Sequence, residues 1–129
     1  MTNIEVVKSF YRALDQGESD KAFDYLSEDF SIIQAKSLPY GGVFEGKKAL
    51  GEFFQIFSQV WSSVKSENVE FYSEGEVVIV RHDFVGTGKS GKTLNMPMTQ
   101  FYLVGEGRIQ QAEPFYQDTH QILKFIEGQ

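Results

Sequence analysis

The chain has 129 residues, enough for one domain with one modest hydrophobic core. Aromatic residues make up 15%, with twelve Phe, six Tyr and one Trp, a supply of rings that suits the wall of a cavity as well as a plain core. A net charge of −6 without any basic stripe excludes nucleic acid and anionic membranes as partners, and the absence of cysteine excludes disulfides and thiolate nucleophiles.

In the opening segment, Ile4, Val7, Tyr11 and Leu14 recur at helical spacing, widened by Val6 and Phe10, and Gly17 ends the helix. This amphipathic pattern is neither a secretory signal nor a membrane span, so a cytoplasmic location is expected. Ser19 suits the N-cap of a short second helix carrying Ala22, Phe23 and Leu26. Asp29 to Gln34 reads as a short extended piece, and Ser37 to Gly42 as a loop marked by Pro39 and the Gly41-Gly42 pair. A third helix from Lys47 to about Val60 presents Leu50, Phe53, Phe54, Phe57 and Trp61 as one broad aromatic stripe.

The period then changes to that of strands. Val64 to Tyr72, Val77 to Val85, Thr93 to Val104 and Arg108 to Phe115 read as a meander, with turns at Glu74-Gly75 and Glu106-Gly107 and a glycine-rich hairpin loop from Gly86 to Lys92. Pro97 inside the third of these predicts a bulge, a bend or an unpaired amide. The tail from Thr119 to Gly128 fits either a continued strand or a final short helix. No internal repeat, linker or low-complexity segment is present, so residues 1–129 form a single α+β domain with helices on one face of a mainly antiparallel sheet.

Three stretches together carry a family resemblance: VVKSFYRALDQGESDKAFDYLSEDF, then GGVFEGKKALGEFF, then GEGRIQQAEPFYQD. In this order and spacing the chain resembles the nuclear transport factor 2-like superfamily, in its SnoaL-like and ketosteroid isomerase-like branches. The resemblance implies a cone in which three N-terminal helices pack in a strongly curved sheet, and a homodimer formed through the outer sheet face. It constrains function weakly, since such pockets serve isomerases, cyclases, epoxide hydrolases and dehydratases as well as non-catalytic roles.

The isomerase branch uses a carboxylate base, a helix-one tyrosine and a buried protonated aspartic acid. An ungapped comparison sets the tyrosine at Phe10 (with Tyr11 beside it), the base at Gln34 and the buried acid at Thr99, none of which matches. Gln34 cannot abstract a proton, so the usual isomerase mechanism is not expected. Strand parity gives other candidates. Val78, Val80, His82 and Phe84 share the face that the resemblance turns inward, which puts His82 at the cavity as an acid–base group suited to neutral pH. The plainer reading is a core histidine with a satisfied hydrogen bond. Tyr116 and Asp118 match the family's terminal tyrosine-x-aspartate pattern, so Asp118 pairs with His82 as an orienting carboxylate, or else caps a turn; a bulge would make Glu113 the inward acid instead. Tyr40, Phe53 and Phe57 complete the expected pocket wall, with Tyr40 and Tyr116 able to orient a substrate oxygen. His82, His120 and the scattered acids lack metal-ligand spacing, and GTGKSGKT lacks the spacing of a phosphate loop, so neither a metal nor a cofactor is expected.

Two function classes fit. One is a small-molecule enzyme of the isomerase, hydrolase, dehydratase or cyclase kind, acting by acid–base chemistry on an apolar substrate. The other is non-catalytic: a module that holds a small apolar ligand, or a dimeric partner-binding domain with a filled interior.

Overall fold

A computed structural model describes all 129 residues as α1 (Asn3–Asp15), α2 (Ser19–Phe23), β1 (Leu26–Gln34), β2 (Gly42–Glu45), α3 (Gly46–Val60), β3 (Trp61–Glu74), β4 (Val77–Gly88), β5 (Thr93–Gly105), β6 (Arg108–Tyr116) and α4 (Thr119–Glu127). No helix is long and apolar enough to cross a membrane. The six strands form one curved sheet in the order β2-β1-β6-β5-β4-β3. Only the β1–β6 pairing is parallel, so the sheet is mainly antiparallel as the sequence pattern predicts.

The helices form where local chemistry favours them. The Thr2 hydroxyl accepts from the Glu5 amide at 3.3 Å, and Glu5 lies in the positively polarised first turn of α1. Gly17, at φ +72°, takes the left-handed turn that ends this helix. One face of α1 is buried against the sheet through Val6, Val7, Tyr11 and Ala13. The stripe on α3 buries Leu50 and Phe53 and leaves Phe54 partly exposed, at 39%.

Two elements differ from the sequence expectation, and two settle alternatives that it left open. The second helix is a single turn, and Leu26 opens β1 instead of closing that helix. Within the expected loop region a four-residue strand, β2, pairs antiparallel with β1. The tail is a helix, the fourth, capped by Asp118. Pro97 causes no bulge: β4 and β5 stay in register from Val77↔Leu103 to Thr87↔Thr93, with Pro97 opposite Asp83. The Pro97 carbonyl accepts from the Gln117 amide at 3.1 Å, so the side of Pro97 that lacks an N–H faces β6 where that strand has just ended. The irregularity lies instead in β3, where Asn68 at φ +53° marks a register shift between Glu67 and Glu70.

The core lies between the helices and the inner face of the sheet. It centres on Trp61, at the junction of α3 and β3, which is stacked on Phe125 of α4 and edge-on to Phe84 of β4. Opposite, on the outer face, no helix covers the sheet. Tyr72, Ile79 and Phe101 are cross-strand neighbours there, next to the Val77–Leu103 pair and to Phe115, which is 54% exposed.

Candidate functional site

A cavity of about 380 Å³ opens between α1, α3 and the inner face of the sheet, a size suited to a small organic molecule. Seventeen of its 23 lining residues are hydrophobic, with the rings of Phe10, Phe30, Phe53, Phe57 and Phe84 prominent among them. The mouth carries Leu14, Phe54 and Val64, each partly exposed, together with Asp15, the one carboxylate of the lining. No lysine or arginine lines it.

The interior polar groups fall in two networks. In the first, the Tyr11 and Tyr102 hydroxyls lie 2.7 Å apart, the Tyr102 hydroxyl donates to Gln100 Oε1 at 3.0 Å, and Gln100 Nε2 lies 3.5 Å from His82 Nε2. With Gln100 oriented this way its N–H faces His82 Nε2, which favours the tautomer with a lone pair there and the ring proton on Nδ1, a nitrogen without a hydrogen-bond partner. Burial pushes the imidazole pKa below its ordinary value, partly offset by neighbouring Asp83. His82 is therefore held in its neutral form near neutral pH, as a weaker base than a free imidazole. Burial also raises the pKa values of Tyr11 and Tyr102, which keeps both phenols protonated.

In the second network, the Trp61 indole N–H donates to the Tyr40 hydroxyl at 3.2 Å, and Tyr40 donates to the Tyr116 hydroxyl at 3.2 Å. Gln34, only 4% exposed, sits at the same end, and its Oε1 has no partner. Tyr116 is held protonated by burial and by Tyr40 beside it, an effect that the Gln34 amide partly offsets.

Strand parity explains which candidates meet. His82, Met98 and Tyr116 form one cross-strand row on the inner face, and Phe10, Gln34, Phe53 and Phe57 also line the cavity. Four candidates are not there. Asp118 follows the end of β6, is exposed, and accepts from the Gln121 amide at 3.2 Å as the N-cap of α4, so it does not orient His82. Glu113 lies opposite Phe101 on the outer face, because β6 runs without a bulge from Gln111 to Tyr116. Thr99 also faces outward, between Arg81 and Phe115, and its neighbour Gln100 takes the inward place. Tyr40 is fully buried behind the wall and reaches the cavity only through Tyr116. Sequence reading missed Gln100 and Tyr102; the alternation Met96, Met98, Gln100, Tyr102 marks them once Pro97 is known to leave the strand in register. No three His, Cys, Asp or Glu side chains converge as a metal site.

A family model described as the SnoaL-like domain matches residues 7–112. No curated protein matches the chain in sequence. Among solved structures, TerC co-crystallised with polyporic acid is 20% identical, with a TM-score of 0.89 over 97% of this chain and 98% of that one. An NTF2-like protein of unknown function from Burkholderia pseudomallei is 19% identical, with a TM-score of 0.88 over 98% of both chains. A candidate SnoaL-like polyketide cyclase from Mesorhizobium loti is 26% identical, with a TM-score of 0.67 over 90% of this chain and all of that one.

Proposed function

The chain belongs to the SnoaL-like family, and from that premise we propose that it binds a small, neutral, largely apolar molecule in the cavity and performs acid–base chemistry on it with His82. The reaction would be of the isomerase, dehydratase, cyclase or hydrolase kind. The observation that carries this reading is His82 itself: a buried, neutral imidazole with an Nε2 lone pair in a ring-lined cavity that holds no cation to attract an anionic ligand. A 3.5 Å contact from Gln100 holds that lone pair only weakly, so it stays available to a substrate proton. Phe10, Phe53 and Phe57 would pack against the ligand, and Gln34 and Tyr116 would meet its polar end. The polyporic acid co-crystal of TerC and the description of the Mesorhizobium loti protein as a candidate polyketide cyclase support a small-molecule role.

Proton exchange tests this whatever the natural substrate is. The purified protein is incubated in D2O with α-tetralone, a bicyclic ketone with an acidic C–H, and deuterium uptake is followed by NMR. Uptake above the buffer rate that disappears in His82→Gln, while binding persists, is the expected result. Binding without exchange would remove the catalytic part and leave a ligand-holding module. That second reading has its own support: no carboxylate orients His82, as one does in most histidine-based sites. The open cavity does not favour a partner-binding domain with a filled interior.

We also propose a homodimer through the outer sheet face. The uncovered apolar row Tyr72–Ile79–Phe101 with Phe115 supports it, since a patch of this kind on a chain of this charge needs a cover.

A further inference from the structure

The second network has a direction. An indole N–H can only donate, and a phenol has one proton to give. Tyr40 accepts from Trp61 and so gives its own proton to Tyr116. The Tyr116 oxygen is thereby used as an acceptor, no hydrogen bond within the protein takes its proton, and the one unpartnered acceptor beside it is Gln34 Oε1. Tyr116 lines the cavity, so that unspent donor faces whatever occupies it. The Gln34 amide stands beside it. On the far side of Met98 in the same cross-strand row is His82. Two strand spacings separate their backbones, roughly 10 Å, which leaves room for one ring between the two side chains.

We propose that Tyr116, held as a one-way donor by Trp61 and Tyr40, is the specificity-determining group of the cavity and takes a carbonyl oxygen of an otherwise apolar ring compound. The inference rests on the cavity being the binding site. A ligand hydroxyl would place its proton on Gln34 Oε1, since the Tyr116 oxygen already accepts from Tyr40. A carbonyl matches the Tyr116 donor: it accepts from Tyr116 and, with its second lone pair, from the Gln34 amide N–H. A carboxylate is excluded because the lining holds no cation and burial in an apolar cavity without one penalises the charge. Trp61 and Tyr40 are positioning residues, since neither touches the ligand.

The test compares the affinities of α-tetralone and its hydrocarbon parent tetralin by NMR titration of the full chain. The wild type is expected to bind the ketone roughly threefold to tenfold more tightly, the range of one net hydrogen bond. Tyr116→Phe should abolish that preference with tetralin affinity unchanged, a control that a merely structural role of the hydroxyl would disturb. Tyr40→Phe, which cuts the relay but spares the Tyr116 hydroxyl, should narrow the preference. Equal affinities in the wild type, or a preference that survives in Tyr116→Phe, would overturn the proposal while the cavity stays a binding site. A full preference in Tyr40→Phe would overturn the relay. If neither probe binds, the cavity reading fails, and this proposal fails with it.

Discussion

Gly86→Ala probes whether Trp61 is seated as tightly as its role requires. Gly86 lies on the inner face of β4, and a Cβ added there would stand 2.6 Å from Trp61 Cζ3, 2.7 Å from Cε3 and 2.8 Å from Phe84 Cε1. Carbon atoms in contact prefer about 3.5–4.0 Å, so the indole would have to retreat by roughly 1 Å. It has little room to do so, since Phe125 stacks on it at 5.5 Å between ring centroids, Phe84 abuts it at 5.1 Å, and its N–H is committed to Tyr40. Overpacking of this kind costs about 1–3 kcal/mol. The added methyl also restricts the unfolded chain, which offsets about 0.4–1 kcal/mol. The net expectation is a loss of roughly 0.5–2 kcal/mol. With an unfolding entropy of about 2.1 cal/mol/K per residue, that lowers the midpoint of thermal unfolding by roughly 2–7 °C for a chain of this length. Calorimetry and urea titration measure it directly. An unchanged or raised midpoint would refute the reasoning, because it would mean that the indole yields freely and that the relay to Tyr116 is loosely held.

Three further outcomes are expected. Burial holds the folded-state pKa of His82 below its ordinary value of 6.5, so below that pH the unfolded chain binds the proton more readily and stability falls as pH falls; urea midpoints between about pH 7.5 and pH 5.5 should drop further for wild type than for His82→Gln, and parallel curves would contradict a depressed pKa. Asp118→Ala removes the N-cap of α4 and should cost about 1 kcal/mol in urea titration while ligand affinity is unchanged; a loss of affinity would return Asp118 to the site. Phe115→Glu sets a charge in the exposed apolar patch of the outer face and should convert a dimer to the 14.7 kDa monomer in light scattering, with an unaltered circular dichroism spectrum; a mass that does not change would exclude this face as the interface.

The fold was legible because its signals are local. The 3.6-residue stripe of α1 and the ring stripe of α3 mark their buried faces, and Gly75 and the Glu106–Gly107 pair, all at positive φ, punctuate the meander where a two-residue turn needs them. β2 escaped notice because its four residues are too few for a period to show, and only the register Ser31↔Glu45 to Gln34↔Gly42 with β1 makes it a strand. The tail was open between strand and helix because Ile122, Leu123, Phe125 and Ile126 satisfy both patterns; what decides is tertiary, the Asp118 cap and the stacking of Phe125 on Trp61.

The site was legible only as far as parity carried. His82 shares its face with Val78, Val80 and Phe84, all buried, and that alternation is visible within the strand itself. Parity failed at Asp118 because a strand has to continue for alternation to mean anything, and β6 stops at Tyr116. It failed at Thr99 for a different reason: the position came from an ungapped comparison, which is one residue out of phase with the pleat that turns Met98 and Gln100 inward. The polar networks lie deeper still. Trp61, Tyr40 and Tyr116 come from an α–β junction, a glycine loop and the last strand, and only closure of the curved sheet brings them within hydrogen-bond reach. Their direction is nonetheless fixed by side-chain chemistry once they meet, since tryptophan can only donate. The cavity has a glutamine at position 34 and an outward threonine at position 99, and two separate polar groups on its inner sheet face, the His82 imidazole and the Tyr116 hydroxyl, with Met98 between them. The function we propose rests on those two poles and the distance between them, and it needs no inherited carboxylate.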